Sequence, residues 1–347
     1  MKIAILAPFE ESVPPKKYGG TESVVYNLIV ELVNLGHDVT MFGTGDSDVP
    51  CKVIPIFPHT LRSIEPYASD MQMRDAAKFL GVGKIIADIE NEKFDIIHNN
   101  LGWRFLLFAK SFHTPMVTTL HKPISKGQEQ MGYLAYPDLQ FVSISDNQRK
   151  PLPELQYIAT VYNGIDMHMY PFSETHDDFL FFLGRMSPEK GVKEAIDVAK
   201  KTRTRLFIAA KVDFVDEPYY AMVKPLIDGK QIVMLGELSG AEKTKYLQQA
   251  TALISPIQWE EPFGLVAIEA MSCGTPVLGM ARGAYPEIIT SGKNGFLATT
   301  VDEMVAQVGQ INSIDRHACR KTVEERFTRR HMAEAYVRVY EKLLQIS

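Results

Sequence analysis

The segment Trp259–Val277, Trp-Glu-Glu-Pro-Phe-Gly-Leu-Val-Ala-Ile-Glu-Ala-Met-Ser-Cys-Gly-Thr-Pro-Val, leaves this chain few architectures to choose from. Before it, Thr251 to Pro256 is a short apolar run of the kind that forms a buried strand. After it, Gly274 and Pro276 stop a helix, and Pro276-Val-Leu-Gly starts another strand. The spacing predicts a helix from about Phe263. Between Leu265 and Met271 every residue except Glu269 is apolar, so no face of this helix is prepared for water. A strand, a helix apolar all round and a second strand require a sheet covered on both sides.

Glu269 is the exception on that helix. A carboxylate is almost never fully buried without a partner, so it must meet an internal cleft, a cation or hydroxyl groups of a ligand. Glu261 lies seven intervening residues earlier, in the loop before the helix. At about 1.5 Å of rise per helical residue plus a few extended residues, the two carboxylates stand on the order of 10 Å apart, too far to share a proton. That separation suits two contacts at opposite ends of an elongated ligand, with a diphosphate between them on the N–H groups of Phe263, Gly264 and Leu265. It also suits an ordinary capped helix in which Glu269 finds an Arg or Lys.

Glu261 to Glu269, with Pro262-Phe263-Gly264-Leu265 inside and Glu-Ala-Met-Ser-Cys-Gly-Thr-Pro-Val following, resembles the E-x7-E signature of glycosyltransferase family 4. The resemblance implies a retaining transferase of the α/β GT-B fold, with two Rossmann-like doubly wound domains facing a cleft. It further implies that Glu269 holds ribose hydroxyls and that Glu261 meets the transferred sugar, either as a contact or as a covalent nucleophile.

Composition agrees with an enzyme of this class. The chain has 347 residues, 46% hydrophobic and 23% charged, long enough for two domains. A net charge of -5 provides no basic field for nucleic acid. No apolar run approaches the roughly 18 residues of a membrane span, and Met1-Lys-Ile-Ala-Ile-Leu-Ala-Pro has no signal-peptide core. Cys51, Cys273 and Cys319 are widely spaced and form neither a disulfide framework nor a zinc motif. A cytoplasmic protein is expected.

In chain order, Ile3 to Ala7 reads as a strand, about Thr21 to Leu35 as a helix closed by Gly36, and Asp38 to Phe42 as the next strand. Further strands are expected at Lys52 to Phe57, Asp95 to His98, Pro115 to Leu120, Phe141 to Ile144 and Ile158 to Val161, with a helix at Met71 to Glu92 that has a possible break at Gly81 to Gly83. This is a parallel, doubly wound pattern. Gly19 and Gly20 can bring backbone against a ligand, and Thr21 can cap the helix after them. Family 4 proteins place a similar Gly-Gly-x-Glu near the donor phosphates. No Gly-x-Gly-x-x-Gly follows the first strand, which argues against nicotinamide chemistry. Asp46-Ser-Asp48 is read as a solvated loop and no metal site is expected.

His98 and His121 each end a strand, where open α/β sheets face their crevice. His121, in Thr118-Thr-Leu-His-Lys, matches the family's histidine near the donor sugar. For His98 a structural and a functional role weigh equally, and Asn100 stands where many relatives have a second histidine. Tyr170 to Asp178 is polar and aperiodic and reads as the interdomain linker; Asn163-Gly-Ile-Asp166 resembles the family's turn at this junction.

The second domain opens on the apolar strand Phe179-Leu-Phe-Phe-Leu, then Gly184-Arg-Met-Ser-Pro-Glu-Lys-Gly191. Ser187 is read as the N-cap and Pro188 as the first residue of a helix reaching about Lys201, which places Arg185 and Lys190 around a helix N-terminus, an anion site. The same residues match the family's diphosphate-binding loop. Strands at Arg205 to Ala209 and Gln231 to Leu235 alternate with helices at about Tyr219 to Asp228 and Ala241 to Gln249; Gly283 to Glu287 and Gly292 to Phe296 read as loops. A last helix, roughly Arg329 to Gln345, carries Met332, Ala335, Tyr336, Val339, Tyr340, Leu343 and Leu344 on one stripe. By resemblance it crosses back to the first domain.

The domains expected are 1–165 on the acceptor side, 166–328 for the nucleotide sugar, and 329–347 as the returning helix. The resemblance implies transfer from a nucleotide-diphosphate sugar to a hydroxyl with retention, no cofactor and no metal, with Arg185, Lys190 and helix ends in place of a divalent cation. Base, sugar and acceptor stay open, the acceptor being a saccharide, a lipid-linked group or a small molecule. The opening Tyr18-Gly-Gly-Thr-Glu resembles most the family 4 subgroup that includes an avilamycin-pathway transferase. The alternatives are a nucleotide-sugar epimerase or phosphorylase of the same fold, or a non-catalytic two-domain binder. Oligomeric state is open.

Overall fold

The computed structural model describes residues 1–17, 19–89, 92–124 and 127–346. Tyr18 of the glycine loop, and Glu90 and Asn91 within the helix expected to reach Glu92, lie outside the described residues. The chain divides into two compact units, Met1–Gly164 with Arg329–Ser347, and Ile165–Thr328.

In the first unit, β1 (Lys2–Leu6), α1 (Gly20–Asn34), β2 (Asp38–Thr44) and β3 (Lys52–Phe57) are followed by α2 (Met71–Ile89) and β4 (Ile96–Asn99). Then come β5 (Met116–Leu120), α3 (Gly127–Leu134), β6 (Gln140–Ser143) and β7 (Gln156–Thr160). The strands form a parallel sheet in the order β3-β2-β1-β4-β5-β6-β7. Strand order reverses between β1 and β4, and ligands of such sheets bind beyond the strands' carboxyl ends at that point. Ile3, Ala4, Ile5 and Leu6 are completely buried, as a central strand covered on both faces requires. The helix α2 is unbroken through Gly81 and Gly83. A Cβ at Gly81 would meet the rings of Phe9 and Phe57 at 2.7 and 2.8 Å, so this glycine serves close packing and not a break.

The second unit contains β8 (Phe179–Arg185), α4 (Val192–Thr202), β9 (Arg205–Lys211), α5 (Glu217–Val223) and β10 (Ile232–Gly236). It continues with α6 (Gly240–Gln249), β11 (Ala252–Ser255), α7 (Leu265–Ser272), β12 (Val277–Met280), α8 (Tyr285–Ile288) and β13 (Gly295–Ala298), then α9 (Val301–Val308) and α10 (Arg316–Arg326). Its parallel sheet runs β10-β9-β8-β11-β12-β13, reversing between β8 and β11. Two stretches expected as loops are partly regular: Gly283 to Glu287 runs into α8, and the turn at Gly292 starts β13. Tyr170 to Asp178 is no linker but part of this unit. Its Ser173 N–H donates to the Cys273 carbonyl (3.0 Å) and its Asp177 N–H to that of Gln249 (2.7 Å).

The final helix α11 (Arg329–Ile346) belongs to the first unit. It packs on α1, and Arg329 Nε meets Glu31 Oε1 at 2.7 Å. Met332, Ala333, Tyr336, Val339, Tyr340 and Leu343 are buried, whereas Leu344 of the expected stripe is exposed.

Arg316 ties the second unit together. The residue is 8% exposed, and its guanidinium donates to the carbonyls of Ser173 (2.8 Å), Ala250 (3.1 Å) and Gln248 (2.7 Å) and to Thr275 Oγ1 (2.8 Å). Replacing Arg316 by Ala leaves these acceptors without donors. The expected cost is about 3 kcal/mol, or a fall of roughly 6–12 °C in this unit's melting transition by calorimetry; an unchanged transition contradicts this role.

Candidate functional site

Of the sequence candidates in the second unit, Arg185, Lys190 and Glu261 lie at or after the carboxyl ends of β8 and β11, where the strand order reverses, whereas Glu269 lies within α7. Arg185 is the last residue of β8. The α-helix expected to start at Pro188 starts four residues later. Pro188–Lys190 is a single 3-10 turn, Ser187 makes no side-chain capping bond, and Gly191, left-handed at φ 75, precedes α4. A Cβ on Gly191 would stand 1.9 Å from the Pro256 carbonyl oxygen, so only glycine lets this turn approach the loop after β11.

Across that approach, Lys190 Nζ meets Glu261 Oε2 at 2.6 Å. Trp259 Nε1–H donates to the same oxygen (2.9 Å), and the Lys190 ammonium lies 4.7 Å from the Trp259 ring centroid. Arg185 pairs with Glu189 in the turn that follows, and its Nε lies 3.3 Å from Asp216 Oδ2, close enough for an ion pair although the N–H is not aligned for a hydrogen bond. Burial raises the Asp216 carboxyl above its ordinary value despite Arg185.

The helix α7 begins at Leu265 and not at Phe263, because Gly264 is left-handed (φ 103) at its N-cap. A Cβ there would strike the Tyr285 ring at 2.3 Å. Tyr285 in turn bonds Ser255 Oγ through its hydroxyl (2.6 Å). Phe263 is buried and packs edge-on against Phe327 at 5.9 Å. The loop is fixed from the other side as well: Gly283 N–H donates to Glu260 Oε2 (2.8 Å) and Ala284 N–H to the Glu261 carbonyl (2.9 Å).

Glu269 finds the cation that its sequence position called for, the lysine of an ordinary buried helix, and a phenol from within the chain besides. Lys243 Nζ lies 3.1 Å from each of its carboxylate oxygens, and the Tyr170 hydroxyl donates to Oε1 at 2.8 Å. Burial, reinforced by Glu269, raises the Tyr170 phenol far above its ordinary value, so it stays a donor. Neither Lys243 nor Tyr170 carried a local signal, and Tyr170 lay in the segment read as a linker. Glu189 carried no such signal either, because Arg185 ends a strand and the two residues share no helix face.

In the first unit, Gly19 stands at the N-cap of α1 and Gly20 is the first helical residue. Thr21 therefore lies inside the helix and does not cap it; the Ser23 hydroxyl bonds back to the Gly19 carbonyl at 2.8 Å. A Cβ on Gly19 would meet Pro15 at 2.6 Å. His121 follows β5, and its ring Nε2 is 2.8 Å from Asn100 Oδ1, so that nitrogen carries the proton. Burial and then Lys122 lower its pKa to about 3, leaving the imidazole neutral. His98 is a structural residue. It is fully buried, with ring nitrogens 2.7 Å from the Tyr340 hydroxyl and 2.7 Å from Thr119 Oγ1.

Of the loop read as solvated, Asp48 is exposed, but Asp46 in the turn is not fully so. It is half-buried, and its Oδ2 accepts from Thr60 N–H at 3.2 Å. Among the described residues no group of three His, Cys, Asp or Glu side chains is placed to hold a metal ion, and no helix is long and apolar enough to cross a membrane.

Residues 171–325 match the family model for glycosyl transferases group 1, and residues 18–168 that for Glycosyltransferase Family 4. N-acetyl-alpha-D-glucosaminyl L-malate synthase of Bacillus anthracis is 23% identical, over 94% of this chain and 95% of its own. A crystal structure of a glycosyltransferase involved in avilamycin A biosynthesis is 22% identical with a TM-score of 0.72, covering 100% of this chain and 99% of that one. An Anabaena protein crystallised with UDP and glucose is 17% identical with a TM-score of 0.72, covering 98% and 99%.

Glu22, the acid that ends the Gly19-Gly20-Thr21-Glu22 run, is 6% exposed. Its pKa is raised to about 7 by burial and by the nearby Glu10 carboxylate. Burial acts on Glu10 too, but the Lys78 ammonium outweighs it and keeps Glu10 below the ordinary range. With its folded pKa above the unfolded value of 4.5, Glu22 makes the folded chain hold the extra proton, so its contribution is full below about pH 4.5 and is lost as pH rises towards 7. Glu22→Gln is therefore expected to stabilise the chain at pH 8 by on the order of 3 kcal/mol, and by far less at pH 5. Thermal melts at the two pH values check this, and an equal gain at both contradicts the shift.

Proposed function

Since the chain belongs to the GT-B glycosyltransferases of the family 4 type, we propose that it transfers a sugar from a nucleotide-diphosphate donor to an acceptor hydroxyl with retention of anomeric configuration. The observation that carries this reading is the arrangement around Arg185 and Lys190. Both cations sit at the strand reversal of the second unit, each held against carboxylates: Glu189 and Asp216 for Arg185, Glu261 for Lys190. Paired cations with anionic partners already beside them are suited to a diphosphate, which supplies the same charge in a form both can share. The solved relative crystallised with UDP and glucose supports a nucleotide sugar as donor.

In this reading Glu269 accepts hydrogen bonds from the ribose hydroxyls while Lys243 and Tyr170 fix its orientation. The backbone N–H groups of Phe263 and Gly264, just before α7, and of Leu265, its first residue, together with the backbone at Gly19 and Gly20, meet the phosphates. Glu261 and the neutral imidazole of His121 meet the transferred sugar. Reaction proceeds through an oxocarbenium-like state in which the diphosphate departs as the acceptor hydroxyl enters on the same face. Arg185 and Lys190 stabilise the charge that develops on the leaving group, and this electrostatic term is the main catalytic contribution. We propose that they take the part of a divalent cation, that no cofactor is bound and that the protein works in the cytoplasm.

The test is a thermal-shift screen against UDP, GDP, ADP and dTDP sugars, because a ligand that binds only the folded chain raises its melting temperature. One base is expected to give a shift. Glu269→Ala then weakens that donor by about 2 kcal/mol, roughly thirtyfold in Kd by calorimetry, whereas Arg185→Ala and Lys190→Ala chiefly lower kcat. Turnover is expected to survive EDTA, and the product to keep the donor's anomeric configuration by NMR. No shift with any base, in folded protein, overturns the donor assignment.

A further inference from the structure

Helix α2 has a second apolar face that the described residues do not cover. Leu80 is 67% exposed and Met73 44%, and Ala76, Gly83 and Ala87 are exposed as well; Phe79, to one side of this face, packs edge-on against Trp103 at 5.7 Å. Met73, Ala76, Leu80, Gly83 and Ala87 recur at alternating steps of three and four residues, the a and d positions of a coiled-coil seam. This seam lies opposite the face that α2 buries with Ala77, Val82, Ile85 and Ile89.

Gly83 is an independent sign. It lies in the helix interior, where glycine is less favourable than alanine, and a Cβ there would meet nothing within 4 Å. Packing within the chain accounts for Gly81 and not for Gly83. A glycine that no intramolecular neighbour requires, in the middle of a solvent-facing apolar seam, fits a close approach from outside the chain.

We propose that α2 is the contact of a twofold homodimer, packing antiparallel on the α2 of a second copy. The seam is self-complementary in that orientation only when large residues meet small ones. Pairing a with d positions sets Leu80 over Ala76 of the partner subunit and Met73 over Gly83 of the partner subunit, with both contacts repeated by the twofold axis. The flanking charges agree. Lys84, beside the seam at one end, faces the partner subunit's Asp70, which is exposed at the N-terminal end of the same helix. Among the described residues Lys84 donates to the Ile56 carbonyl at 3.3 Å and lies 5.0 Å from the Phe57 ring centroid, with no carboxylate among these partners, so it can swing across without breaking an ion pair to them. Asp70 caps α2 through Oδ1, which accepts from Gln72 and Met73 N–H at 2.8 and 3.1 Å. A second copy suits this face better than an anionic lipid surface. Along α2, Arg74, Lys78 and Lys84 are balanced by Asp70, Asp75 and Asp88, not the cationic rim that lipid headgroups select.

Sedimentation equilibrium of the full chain at micromolar concentration is expected to give twice the 39.0 kDa chain mass. Leu80→Glu, which alters an exposed side chain, is expected to weaken self-association by about thirtyfold or more. Gly83→Gln is the sharper variant, because it improves helix propensity while filling the space the partner's Met73 needs; it is expected to retain the helical spectrum and lose the dimer. A monomeric wild-type chain overturns the proposal, as does a dimer that neither substitution weakens. A monomer that co-sediments with vesicles of phosphatidylcholine and phosphatidylglycerol, and stops doing so in Leu80→Glu, overturns it in favour of a lipid surface.

Discussion

The Lys190–Glu261 ion pair is the contact around which the second unit's candidate site is assembled. It joins the turn after β8 to the loop after β11, the two segments that flank the strand reversal. Both side chains are mostly withdrawn from water, with 19% and 12% of their surface exposed, so each depends on the other to offset lost hydration. Three close backbone approaches make the pair possible: Gly191 against Pro256, Gly264 against Tyr285 and Gly283 against Glu261. A side chain at any of them would push apart the loops that carry Arg185, Lys190 and Glu261. The Trp259 indole completes the arrangement by donating to Glu261 and covering Lys190.

Glu269 obeys the same logic eight residues on. A carboxylate on a mostly buried helix is tolerated only with a full set of partners, and Lys243 and Tyr170 supply a cation and a hydroxyl. Both site carboxylates are thus oriented before any ligand arrives, which reduces the ordering a ligand must bring about. The first unit holds its interior polar groups in a comparable way. His98, Thr119, Tyr336 and Tyr340 form one buried hydrogen-bonded cluster between two strands and the final helix. That cluster explains why the end of the chain is part of the first unit: without α11, His98 and Thr119 lose their phenolic partners.

The alternation of strands and helices was legible in the sequence because many of the apolar runs, such as Ile3 to Ala7, Lys52 to Phe57 and Pro115 to Leu120, were bounded by glycine or proline. Expected and observed strands differ by one or two residues where polar residues such as Gln140, Gln156 and Lys211 continue the ladder beyond the apolar run. β13 was missed because Gly292-Lys-Asn-Gly-Phe reads as a turn, and only the neighbouring β12 makes Gly295–Ala298 extended. The N-terminus of α4 was misplaced because Ser187-Pro188 is a strong local start signal. The contact with Pro256, distant in sequence, forces Gly191 left-handed and breaks the helix off there.

What the sequence by itself determined is the backbone plan and the chemistry placed on it: two parallel sheets, Arg185 and Lys190 at the end of a strand and in the turn after it, Glu261 in the loop before a helix and Glu269 within that helix. These follow from local periodicity, stop signals and the cost of burying charge, all properties of neighbouring residues. What only the tertiary structure decided is which groups meet. Glu269 and Tyr170 are 99 residues apart in the chain, and His98 and Tyr340 are 242 apart. No local pattern encodes such contacts, since they arise when separately formed elements pack and each buried polar group takes whatever partner that packing brings within reach.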